Sequence, residues 1–75
     1  MITLRAFARY RATLGFEQLE VPLPDPPTLA ALLAEPRLAG LPADALVAVN
    51  RAFAKPATAL RDGDEVALMP PVSGG

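Results

Sequence analysis

Apolar and polar residues alternate in several stretches of the chain, and one stretch follows a helical spacing. Ile2, Leu4 and Ala6 alternate with Thr3, Arg5 and Phe7. This period of two sends successive side chains to opposite faces of a strand, and it predicts a strand over Met1–Ala8. Gln18–Leu23 alternates again, with Leu19, Val21 and Leu23 on one face and Gln18 and Glu20 on the other. Pro22 has no amide proton, so this strand lies at an edge or ends early. Between the two, Arg9–Leu14 has room for one helical turn closed by Gly15, and so short a connection predicts an antiparallel hairpin. Glu65–Met69 sets Val66 and Leu68 against Ala67 and Met69 and predicts a last strand. Leu46–Val49 and Ala52–Lys55, the latter carrying Phe53, read as two short strands about an Asn50-Arg51 turn.

The helical spacing falls at Leu29, Leu32 and Leu33, an apolar stripe at i, i+3 and i+4. Thr28 is placed to cap it, with a hydroxyl that can accept from the first free amides. Pro36 ends the helix near Ala34 or Glu35 by clashing with the preceding turn. Pro24-Asp25-Pro26-Pro27 predicts an extended entry. Arg37–Ala45 reads as a loop that drops Leu38 and Leu41 into the core. Asp62-Gly63 marks a tight turn.

The resulting order is β-β-α-β-β-β. If the first and last strands are neighbours in the middle of a mixed sheet, one helix covers every apolar face. That is an α+β fold of the ubiquitin-like β-grasp type, with about five strands and one main helix across one face. Residues 1–70 then form the domain, and 71–75 form a flexible tail ending in Gly-Gly.

Composition narrows the chemistry. The chain has 75 residues, no Cys and no His, nine Pro and a net charge of −1. A domain this small is marginally stable, and without Cys it has no disulfide or thiolate site. Without His it has no imidazole base and no Ser-His pair. The near-neutral charge predicts no nucleic-acid partner. Arg5, Arg9 and Arg11 read as a solvated edge rather than a polybasic tract. The longest unbroken apolar run, Leu29–Ala34, falls far short of the ~20 residues that cross a bilayer. No membrane partner is expected, and a cytoplasmic location follows by default. Asp62, Asp64 and Glu65 read as turn-forming acids, so no metal site is expected.

What remains is Pro70-Pro71-Val72-Ser73-Gly74-Gly75. Two prolines hold an extended arm off the last strand. Two glycines can thread a slot that any Cβ would block. The Gly75 carboxylate is then the one reactive group on offer, and activation to an acyl-adenylate would open it to a sulfur or amine nucleophile. The alternative is a frayed terminus.

Asp62-Gly63-Asp64-Glu65-Val66 followed by Pro70-Pro71-Val72-Ser73-Gly74-Gly75 resembles the small subunits of molybdopterin synthase, which are ubiquitin-like sulfur carriers. Phe7-Ala8, Arg11 and Gly15 are similar to that family's first strand and turn, and Val47-Ala48-Val49-Asn50 to its third strand. The short helix before Pro36 departs from the pattern. The resemblance implies a non-catalytic subunit of a sulfurtransferase, assembled as a heterotetramer and binding no cofactor tightly. A ubiquitin-activating-type adenylyltransferase would use ATP to adenylate Gly75. A persulfide donor would supply sulfur to form the thiocarboxylate. The large synthase subunit would then receive the tail and pass sulfur to cyclic pyranopterin monophosphate.

The alternation also places Arg5, Phe7, Ala67 and Met69 on the sheet face away from the helix, a candidate partner interface next to the tail. Three other readings stay open: a carrier for thiamin synthesis or tRNA thiolation, a ubiquitin-like protein modifier, and an interaction module whose tail is irrelevant.

Overall fold

The parallel pairing of the first and last strands organises the fold. The computed structural model describes residues 1–71. Five strands, β1 (Ile2–Ala6), β2 (Gln18–Val21), β3 (Leu46–Val49), β4 (Ala52–Phe53) and β5 (Glu65–Met69), form one sheet in the order β2-β1-β5-β3-β4. β1 and β5 run parallel at its centre, and every other pairing is antiparallel. This is the α+β, β-grasp arrangement that the order of elements predicts.

Ile2, Leu4, Ala6, Val66 and Leu68 are fully buried on one face of the sheet. Helix α2 (Leu29–Leu33) lays Leu29 and Leu32 into the same cluster. The Thr28 hydroxyl caps α2 by accepting from the Ala31 amide at 3.2 Å. Pro36 then opens a short 3-10 turn, Pro36–Leu38, which buries Leu38. Leu41 is only half-buried, at the margin of the core.

Several elements differ from their sequence expectations. β1 stops at Ala6 rather than Ala8, because Ala8 takes a left-handed backbone, φ 52°. Phe7 sits just beyond β1, its amide donating to the Leu68 carbonyl at 3.0 Å. β2 ends at Val21, since Pro22 cannot continue the ladder. Leu23 therefore lies outside the strand and is 37% exposed, not aligned with Leu19 and Val21. The return strand covers only Ala52–Phe53. The proline-rich entry bends at Asp25 and Pro26 instead of running extended.

The turn expected near Arg9–Leu14 is a second helix, α1 (Tyr10–Leu14), closed by Gly15 at φ 83°. It buries Tyr10, whose aromatic ring joins the core. A further segment, Pro56–Leu60, had no expected element. Its backbone pairs with the start of α2 through Leu29 to Thr58 and Leu60 to Pro27, and it buries Leu60.

Candidate functional site

Strand register lines up a single row of side chains across the face opposite α2. Arg5 on β1 pairs with Ala67 on β5, Ala67 with Ala48 on β3, and Ala48 with Phe53 on β4. Phe7, Met69 and Leu46 flank this row on the side where β5 ends. Leu46 stands opposite Met69 in the β3–β5 ladder. Glu65 and Arg51 flank it on the other side. These residues, Leu46 apart, line one concavity of about 420 Å³. The four residues expected at a partner interface, Arg5, Phe7, Ala67 and Met69, are thus brought together.

Phe53 was not placed on this face by its sequence context. The signal that locates it is the two-residue turn. Asn50 and Arg51 both have positive φ, 50° and 70°, a pair of angles that closes a tight hairpin and fixes register. Ala48 then opposes Phe53. Phe53 is 76% exposed and Phe7 39%. Two aromatic rings left in water beside a methionine mark a surface built for contact.

Arg5 lies within this apolar frame. Its Nη1 is 3.6 Å from Glu65 Oε2, and its Cζ is 5.7 Å from the Phe7 ring centroid. Its Nε is buried with no hydrogen-bond partner among the described residues.

β5 leads from this face toward the tail. Pro70 and Pro71 follow Met69 directly and are half-buried. Val72, Ser73, Gly74 and Gly75, which carry the proposed chemistry, lie outside the described residues.

A family model described as the ThiS family matches residues 4–75. The chain belongs to the ThiS family. Solved structures agree with that placement. The putative molybdopterin converting factor subunit 1 from Pyrococcus furiosus superposes with a TM-score of 0.84 at 27% identity, covering 95% of this chain and 97% of that one. Small archaeal modifier protein 1 from Haloferax volcanii gives a TM-score of 0.68 at 27% identity, over 95% and 97% of the two chains. A complex of subunits 1 and 2 of molybdopterin-converting factor from Helicobacter pylori gives 0.69 at 25% identity, over 99% and 97%. The general role of this ThiS-family protein is that of a ubiquitin-like sulfur carrier or modifier.

The clustered acids of the ThiS-family chain have structural tasks. Asp62 pairs with the Met1 ammonium. Asp64 accepts from the Asn50 side-chain amide at 2.9 Å and from the Arg61 backbone amide at 2.8 Å. The Asn50 side-chain oxygen accepts from the Glu65 amide at 3.0 Å. This clasp joins the β3–β4 turn to the start of β5. Among the described residues, no group of three His, Cys, Asp or Glu could hold a metal ion. No helix among them is long and apolar enough to cross a membrane.

The hydrogen bond from Asn50, then that from Arg61, holds the Asp64 carboxyl below its ordinary value of 3.8. A lowered folded pKa stabilises the fold above 3.8, and that contribution is lost as pH falls through the folded value. Asp64 is partly exposed, so solvent screening keeps the effect small. Asn50→Ala is expected to lower stability at neutral pH by about 1–2 kcal/mol, through the lost hydrogen bonds and the left-handed backbone that alanine resists. It should also flatten the acid limb of the stability profile. Thermal unfolding from about pH 2 to 7 measures both effects.

Proposed function

We propose that the chain carries sulfur as a thiocarboxylate on Gly75 and delivers it during molybdopterin synthesis. One observation carries this reading. Pro70-Pro71-Val72-Ser73-Gly74-Gly75 follows the central strand β5 directly, inside the region that matches the family. The Gly75 carboxylate attacks the α-phosphorus of ATP in an adenylyltransferase of the ubiquitin-activating type, releasing pyrophosphate. A persulfide sulfur displaces AMP from the acyl-adenylate, and a thiol then frees the thiocarboxylate by disulfide exchange. The large subunit of the synthase receives the tail and supplies the acid and base groups that a chain without His or Cys lacks. There the thiocarboxylate gives its sulfur to cyclic pyranopterin monophosphate. The subunit 1 and 2 complex of the Helicobacter pylori relative supports such a partner, and a heterotetramer is the assembly that the family resemblance implies.

The apolar face beside β5 is the docking surface in this account. Phe7→Asp or Met69→Asp is expected to weaken the large-subunit complex by tenfold or more, about the effect of removing an interface anchor. Both side chains are partly exposed, so both variants should fold. Calorimetric titration against the large subunit measures the affinity, and unchanged binding by both would remove the surface from the account.

The acceptor is tested by mixing thiocarboxylated protein with the large subunit and the pterin precursor, and separately with a thiazole-forming or tRNA-thiolating system. Sulfur transfer to the pterin supports the reading. Transfer to thiazole or tRNA alone overturns it. The likeness to small archaeal modifier protein 1 favours a second reading, in which a lysine amine attacks the acyl-adenylate to form an isopeptide bond. Carrier–target adducts on denaturing gels, lost when Gly75 is deleted, are its expected sign.

A further inference from the structure

The concavity on the open face combines an apolar floor with an arginine whose Nε has no partner among the described residues, and this combination specifies its occupant. Ala67 and Ala48 form the floor, since their small side chains leave a depression between larger neighbours. Arg5 stands at one end of the row and Phe53 at the other. Three inter-strand steps separate the two, about 14 Å at the usual spacing. That is room for an inserted side chain.

Arg5 is poorly served in the isolated chain. Besides the Phe7 ring, its one charged contact is Glu65, a single long one at 3.6 Å, and among the described residues its buried Nε has no hydrogen-bond partner. A guanidinium binds a carboxylate best through two parallel N–H bonds, which this arrangement does not provide. Arg51 lines the same concavity. Its backbone sits at φ 70° in the tight turn, a position where glycine is free of strain. A side chain is therefore held there against the preference of the backbone.

We infer that the Arg5–Phe53 concavity recognises a protein segment that inserts an apolar side chain over Ala67 and Ala48 and places a carboxylate on Arg5, with Arg51 beside it. On docking, the Arg5 guanidinium exchanges its long contact with Glu65 for paired hydrogen bonds to the partner's carboxylate. This deepens the docking role proposed above and rests on it, naming the chemistry the partner must present. The lining favours this occupant on charge, because two arginines face one glutamate.

The test titrates the full-length chain and its variants with the large synthase subunit at low and high salt. Arg5→Leu is expected to weaken binding about tenfold and to remove most of the salt dependence, as loss of a paired charge does. Arg5→Lys should recover only part of the affinity, because an ammonium cannot make the bidentate contact. Ala67→Leu fills the floor and should weaken binding while leaving the salt dependence intact. Arg51→Gly relieves the turn, so it should unfold no earlier than wild type and yet bind more weakly. In the complex, the Arg5 Nε–H resonance should shift and become protected from exchange.

Arg5→Leu binding with unchanged affinity and unchanged salt dependence overturns the inference, and so does Ala67→Leu binding as wild type. Met69→Asp separates the two levels. If it alone weakens binding, the face docks but not by this recognition. If it too binds as wild type, docking through this face is itself wrong.

Discussion

Deleting Gly75, or adding one residue after it, is expected to abolish sulfur transfer while leaving thermal unfolding unchanged. The two halves of this expectation rest on different parts of the chain. The fold is held by buried apolar residues that, among the described residues, run from Ile2 to Leu68, so a change at position 75 removes none of them. The proposed chemistry would require a free carboxylate on a residue without a side chain, able to pass a slot that a Cβ would block. Deletion presents Gly74 one residue short of the required reach, and extension replaces the glycine carboxylate with another. A misplacement of one residue moves the reacting atom by about 3.5 Å, and a shift of about 1 Å can already cost a hundredfold in rate. A folded Gly75 deletion that still transfers sulfur would overturn the proposed function.

The second large effect is on stability. Leu4→Ala is expected to cost about 2–5 kcal/mol, the range for emptying a fully buried leucine site. Leu4 is 1% exposed and lies between Leu19 on β2 and Val66 on β5. It joins Leu29 and Leu32 of α2 in the core cluster. A domain of this size has little stability to spare, on the order of 5 kcal/mol. The melting temperature should therefore fall by roughly 10 °C or more. Phe53→Ala is the contrasting change. Phe53 is 76% exposed, so its removal should alter stability by less than about 0.5 kcal/mol while weakening the partner complex. Thermal unfolding of the two variants side by side checks the assignment of one residue to the core and the other to contact.

The periodic segments were the legible part of this protein. The alternation at Ile2–Ala6 and Glu65–Met69 identifies the two central strands, because each buries one face against α2 and leaves the other open. Thr28 and Pro36 mark the two ends of α2 through side-chain chemistry that works locally. Tyr10 was less visible, since five residues of α1 contain too little pattern to show which face is covered. Leu60 was hidden for a different reason. Pro56–Leu60 is held by backbone bonds to Pro27 and Leu29, and such long-range pairing leaves no period in the sequence.

The candidate site divides along the same line. Arg5, Phe7, Ala67 and Met69 follow from strand alternation alone. Phe53 joins them only through the register that Asn50 and Arg51 impose. That the Nε of Arg5 finds no partner among the described residues is a property of three-dimensional packing. The tail stood out for a third reason. A chain without Cys or His offers few other reactive groups, so the glycine carboxylate draws attention by elimination.

Intact-mass measurement of the protein after incubation with ATP, the adenylyltransferase and a persulfide donor reads the chemistry at Gly75 itself. The expected product is a species heavier by the difference between one sulfur and one oxygen atom, located at Gly75 by fragmentation and lost when the large subunit and the pterin precursor are added. A protein that keeps its original mass under these conditions, or gains sulfur anywhere other than Gly75, would contradict it.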